Sequence, residues 1–218
     1  MNKTIARIGY AMITEESTAG TTYENEITYL ESSEAGGREI KTSPKGDTIE
    51  IDADGILAIG GEINSGYDHE LTTLDIIDDL KEKWLGRTPV TGGNVEFGGA
   101  VTYPKFALVV AEETFRSEKK YDVHIYLNSQ VLERPERTAK SNYQKFDPEF
   151  PTFKIGSRPR MEDKVVCIEI SADELPTAVP TITVPTQNGS GSSGSGSGSS
   201  GSGSGSSGSG SGSSGSGT

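Results

Sequence analysis

The sequence predicts a mainly β fold: an antiparallel β-sandwich or barrel of eight to ten strands with one flanking α-helix at about 75–85. Three observations predict it. Runs of β-branched and aromatic residues alternate with a period of two, turn residues cut those runs apart, and one segment alone has helical spacing.

Strands are expected at 5–13, 26–30, 38–42, 48–51, 56–62, 67–73, 105–111, 121–132, 150–157 and 165–170. The clearest is 121–132, where Val123, Ile125 and Leu127 face one way and Asp122, His124, Tyr126 and Asn128 the other. That alternation predicts a strand with one dry face. In 165–170, Val166, Ile168 and Ile170 share one side, while Val165, Cys167 and Glu169 share the other. Pro44-Lys45-Gly46-Asp47, Asp52-Ala53-Asp54-Gly55 and Asn64-Ser65-Gly66 read as turns.

The helix is predicted from Leu74, Ile77, Leu80 and Trp84, whose spacing lines one face. Asp75, Asp78 and Asp79 near its start and Lys81 and Lys83 near its end follow the charge order that the helix dipole favours. Asp75 is expected to cap the first turn and Gly86 to close the last in the left-handed conformation.

Three regions follow: a β domain over 1–175, a Pro/Thr-rich C-terminal extension over 176–188, and a Gly/Ser tail over 189–218. In the tail Gly-Ser-Gly-Ser-Gly-Ser-Ser recurs from Gly194, Gly201 and Gly208. It has no side chains to bury, so nothing offsets the entropy of ordering it. So regular a repeat reads as an engineered flexible linker ending in a cloning scar, with a natural low-complexity tail as the alternative.

The net charge of −12 argues against a nucleic-acid clamp or an anionic-membrane binder, both of which need basic patches. Cys167 is the only cysteine, which excludes an intramolecular disulfide and a thiolate cage. No apolar leader or 18-residue apolar run is present, so neither a signal peptide nor a membrane span is expected.

No catalytic, cofactor-binding or metal-binding residue is expected. Cys167 with His69 or His124 is the only thiol–imidazole combination available, and Cys167 lies within a predicted strand with no basic neighbour to activate it. Asp52-Ala53-Asp54-Gly55 brings its glycine two residues early for a calcium loop, and Ile63 stands where the closing acid belongs. Gly92-Gly93 and Gly98-Gly99 have the wrong spacing for phosphate binding. Glu112 and Glu113 must point to opposite faces of a strand, and Asp78 and Asp79 read as solvated helix-start charges. Asn188-Gly189-Ser190 matches a glycosylation sequon without a secretory context. An acidic, strand-rich body with no site works by binding or assembling.

The order of Pro44–Thr48, Asp52–Gly55, Asn64–Tyr67 and the Trp84-Leu85-Gly86 helix end resembles the major tail tube proteins of long-tailed phages, the phi13-like family. Phe106–Val110, Lys119-Lys120-Tyr121, the strand ending near Arg134-Pro135, and the strands at 150–159 and 165–170 continue the likeness over about 5–171. The aromatic segment with Tyr143, Phe146 and Phe150 departs from it, as does 175–187. The resemblance implies a virion structural protein, assembled in the host cytoplasm into hexameric rings that stack as a tube. Its implied partners are copies of itself and the tape measure, terminator and distal tail proteins. DNA would pass through the lumen without specific binding, and no cofactor or membrane is involved. The alternatives are a ring subunit of a related secretion or injection apparatus and a carbohydrate-binding β-sandwich whose platform would be Tyr143, Phe146 and Phe150.

Overall fold

The computed structural model describes residues 4–53, 56–114, 119–136 and 149–182, with side chains described outside 49–60. The chain is mainly β. Its strands are β1 (Thr4–Ser17), β2 (Gly20–Tyr23), β3 (Thr28–Tyr29), β4 (Gly37–Ala53), β5 (Ile56–Thr73), β6 (Thr88–Val90), β7 (Gly93–Val95), β8 (Lys105–Glu113), β9 (Tyr121–Glu133), β10 (Thr152–Ser157) and β11 (Cys167–Ala172), and its one helix is α1 (Asp78–Lys83).

Nine strands form one antiparallel sheet in the order β2-β1-β8-β9-β10-β5-β4, with β3 beside β1 and β11 beside β9. One side of β9 pairs with β8. Its other side is shared, Tyr121–Tyr126 pairing with β11 and Ser129–Glu133 with β10. Strands β6 and β7 form a separate hairpin through a turn containing Gly92, whose φ of +85° suits glycine.

Both faces of the central strands are dry. On one, Ile8, Tyr10, Leu71, Phe106, Leu108, Val110, Phe153 and Ile155 pack with Leu80 and Trp84 beneath α1. Trp84 is completely buried, stacked on Phe106 at 4.6 Å between ring centroids and met edge-on by Tyr10 and Phe153. Smaller side chains line the opposite face: Ala11, Ala107, Val109, Ala111, Val123, Ile125 and Leu127. The alternation of 121–132 therefore hides two dry faces, because Tyr126 and Val131 enter the aromatic cluster while Val123, Ile125 and Leu127 enter the aliphatic one.

The aliphatic face is roofed by Leu175, Val179 and Ile182. Ile27 N–H donates to the Thr177 carbonyl at 2.7 Å, and the Tyr29 hydroxyl to that of Pro176 at 2.7 Å. The compact unit consequently runs Met1–Ile182. The first part of the Pro/Thr-rich segment, up to Ile182, covers sheet that would otherwise be wet. The rest of that segment and the Gly/Ser tail lie outside the described residues.

The helix is shorter than the predicted 75–85. Ile77 occupies its N-cap with no side-chain cap, and the Asp75 carboxylate instead accepts from Ile76 N–H at 2.7 Å. Leu74 lies in the link from β5 and is exposed, so the apolar stripe rests on Leu80 and Trp84, with Ile76 and Leu85 completing it. Gly86, at φ +64°, donates to Glu82 and ends the helix as expected.

The turns expected at Pro44–Asp47 and Asn64–Gly66 do not form. Both lie inside one long hairpin, where Lys45 pairs with Gly66 and Gly46 with Asn64, leaving Ser65 as a bulge. Pairing continues to Ala53 opposite Ile56, and the turn expected at Asp52–Gly55 falls partly on Asp54 and Gly55, which lie outside the described residues.

Candidate functional site

The β4–β5 hairpin has two parts. From Tyr67 to Thr72, β5 has β10 on one side and β4 on the other. From Gly46 to Ile63 the two strands pair only with each other among the described residues. In this outer arm Asp47, Ile49 and Ile51 stand opposite Ile63, Gly61 and Ile59. Of the residues there whose side chains are described, Asp47 and Ile63 form one cross-strand pair, and Thr48 and Glu62 form the next on the opposite face. Ile63 is 49% exposed.

Strand β4 also ends the sheet order, so its outer edge has no strand partner among the described residues. Near the body that edge carries Lys41, Pro44 and Lys45, charges and a missing donor that discourage strand addition. Lys41 faces Glu70 at 3.7 Å and Lys45 faces Asp68 at 3.6 Å. An exposed apolar strip follows the helix, with Val90, Val95, Phe97 and Val101, of which Phe97 is 68% exposed.

The histidines occupy different surroundings. His69 is fully buried, with Nδ1 at 2.9 Å from Thr42 Oγ1 and Nε2 at 2.9 Å from Ser157 Oγ. Ser157 continues to Ser129 Oγ at 2.7 Å, and the imidazole meets the Tyr126 ring edge-on at 4.3 Å. Burial pulls its pKa down to about 4. This serine–imidazole chain has the atoms of a hydrolytic pair but no access for a substrate.

His124 is half-buried between carboxylates. Its Nε2 lies 3.8 Å from Glu112 Oε2 and its Nδ1 3.4 Å from Glu169 Oε1. Glu169 is the direct cross-strand partner of His124, and Cys167 that of Tyr126, one alternation along the same face. Side-chain ligand atoms of His124, Cys167 and Glu169 all lie within 4.8 Å of one another, the one such His/Cys/carboxylate group among the described residues. Burial, with Glu169 beside it, pushes the Cys167 thiol up to about 12, so it stays protonated and is no nucleophile. Sequence reasoning weighed Cys167 with both histidines; the structure brings His124 to the thiol. The signal was the HxY and CxE alternations, which meet only once the register of β9 and β11 is known.

The remaining candidates resolve locally. Asp78 pairs with Lys81 at 2.7 Å and accepts from Asn94 at 3.0 Å. Asp79, expected to be merely solvated, accepts the hydroxyl of buried Tyr10 and ties α1 to β1. Glu112 and Glu113 stand opposite Asp122 and Tyr121 on opposite faces. Of the aromatic cluster only Phe150 is described, and the Arg38 guanidinium covers its ring at 4.1 Å. Tyr143, Phe146, Asp54, Gly55 and Asn188 lie outside the described residues. No described helix is long and apolar enough to cross a membrane.

Comparison of the chain with family models, curated proteins and solved structures finds no match.

Proposed function

We propose that this chain is a structural subunit that assembles with copies of itself, side to side in sixfold rings that stack into the DNA-conducting tail tube of a long-tailed phage. The observation that carries the reading is the β4–β5 arm. Among the described residues its two strands pair only with each other, an arrangement that is marginal in water, and Ile63 stands 49% exposed at its root, so the ribbon asks for a covering surface. A neighbouring copy supplies one, and contacts between unlike surfaces of identical chains propagate rather than close. Of the residues that carry the resemblance, 46–48 and 52–53 fall on this arm.

The subunit has no enzymatic role in this reading. Its net charge of −12 keeps phosphates from adhering during passage of the genome. The partners are further copies and the other tail proteins, and the location is the virion.

Light scattering and negative-stain microscopy across a concentration series test the proposal. Rings or tubes are expected to appear with concentration, and Ile63→Lys is expected to suppress them. A monodisperse monomer of about 23 kDa at every concentration up to millimolar would sink the assembly reading. Assembled particles that retard short duplex DNA tightly at low salt would sink the conducting lumen and leave assembly standing.

A further inference from the structure

We propose that His124, Cys167 and Glu169 form a site for a borderline-soft divalent cation of the Zn²⁺ class, with Glu112 orienting the histidine ring from behind. The site is independent of the tube reading, for it lies at the β8–β9–β11 junction and uses no residue of the arm.

Topology sets it up. Over Tyr121–Tyr126, β9 is flanked by β8 on one side and β11 on the other. Val110 is opposite His124 on β8 and Glu169 is opposite it on β11. Stepping two residues along each neighbour on the same face reaches Glu112 and Cys167. Three strands thus deliver one imidazole, one thiol and two carboxylates to one patch.

The distances suit a metal after a small contraction. Zinc bonds of about 2.0–2.3 Å place tetrahedral ligand atoms about 3.5 Å apart. The three ligand atoms now lie within 4.8 Å, and the Glu169 side chain, 76% exposed, is free to make up the difference by rotation. His124 Nδ1 already faces Glu169 while Nε2 faces Glu112. The metal therefore takes Nδ1, and the Nε2 proton points at Glu112, the carboxylate backing that orients metal-bound imidazoles. On binding, the Cys167 thiol gives up its proton to water and the sulfur becomes the third ligand. Nitrogen, sulfur and oxygen donors together favour zinc-like ions over Mg²⁺ or Ca²⁺, which select oxygen alone. Solvent fills the fourth position. The ion would staple β11, whose only strand partner among the described residues is β9, to the body.

The full chain, stripped with EDTA, is titrated with Co²⁺ alone and then with Zn²⁺, following absorbance and Trp84 fluorescence. A near-ultraviolet thiolate-to-cobalt band is expected, together with visible bands of four-coordinate cobalt, all bleached by Zn²⁺. Cys167→Ser should abolish the thiolate band, and Glu169→Gln and His124→Gln should each weaken Zn²⁺ binding by about tenfold or more. Glu112→Gln should weaken it by about tenfold while leaving the band. Glu169→Gln alters an exposed side chain, so an unchanged Trp84 signal separates lost binding from lost folding. Absence of the thiolate band, or a Zn²⁺ affinity that Cys167→Ser and Glu169→Gln leave unchanged, overturns the site and leaves His124 a plain ion-pair partner.

Discussion

Strand β5 is one continuous element in two environments. Its Tyr67–Thr72 half is paired on both sides and sends Leu71 and His69 into the core, whereas its outer half has only β4 beside it among the described residues. The inner half carries its own reason to be a strand: two ladders and a buried face. The outer half does not, because a lone two-stranded ribbon buries little and its hydrogen bonds barely exceed those made with water. Under the assembly reading, the exposed Ile63 at its root belongs to a contact with another copy. Substitutions that separate the two halves therefore probe the reading directly.

The largest effect is expected at the core end. Trp84 fills the space among Phe106, Tyr10 and Phe153, and Trp84→Ala leaves a cavity that rigid strands cannot close. The unfolding free energy should fall by about 3–5 kcal/mol, read from urea midpoints. An unchanged midpoint would mean that α1 does not hold the sheet.

Acid should act on the same half through His69. Its folded-state pKa of about 4 lies below the usual 6.5, so the unfolded chain takes up the proton first. Stability is then fullest above pH 6.5, drains as the pH falls from 6.5 to 4, and is flat below. The loss for this group is roughly 3 kcal/mol. Wild type and His69→Gln compared across that window should differ in slope, and parallel profiles would assign the acid sensitivity elsewhere.

Two glycines of β5 separate the halves, Gly66 at their border and Gly61 out on the arm. A Cβ on Gly66 would lie 2.0 Å from the Ser157 carbonyl oxygen, at a φ of +117° that side chains rarely adopt. Gly66→Ala should cost about 3 kcal/mol from strain and displacement together. A Cβ on Gly61, five residues out along the arm, meets nothing within 4 Å. Gly61→Ala should leave the midpoint within about 0.5 kcal/mol. Equal costs would show that the arm is packed as tightly as the body.

The sheet was legible in the sequence because period-two alternation and turn residues are local signals. Most expected strands lie where they were placed, and Leu80, Trp84 and Gly86 fixed the core and end of the helix. What was missed depends on partners far along the chain. Pro44–Asp47 and Asn64–Gly66 each have turn composition, and only their mutual pairing turns them into a bulge. Asp79 looked solvated until the fold brought Tyr10 to it, and 176–182 looked like an appendage until the aliphatic face needed a roof. The convergence of His124, Cys167 and Glu169 was invisible for the same reason. Alternation tells which residues share a face of one strand, while the register between strands decides which residues meet.

The smallest expected effect on folding belongs to Ile63→Lys. Ile63 is half exposed at the root of the arm, opposite Asp47, and the new ammonium can reach that carboxylate across the strand pair. The isolated subunit therefore loses little burial, and its urea midpoint should stay within about 0.5 kcal/mol of wild type. In an assembly the same face must leave water, and a lysine there either carries its charge into an apolar contact or holds the surfaces apart. Scattering should then report subunits where wild type at the same concentration forms larger species. A variant as stable and as assembled as wild type would free Ile63 of any role in association. A variant that loses stability by several kcal/mol would show that the arm packs on its own subunit, and the contrast between the two halves of β5 would vanish.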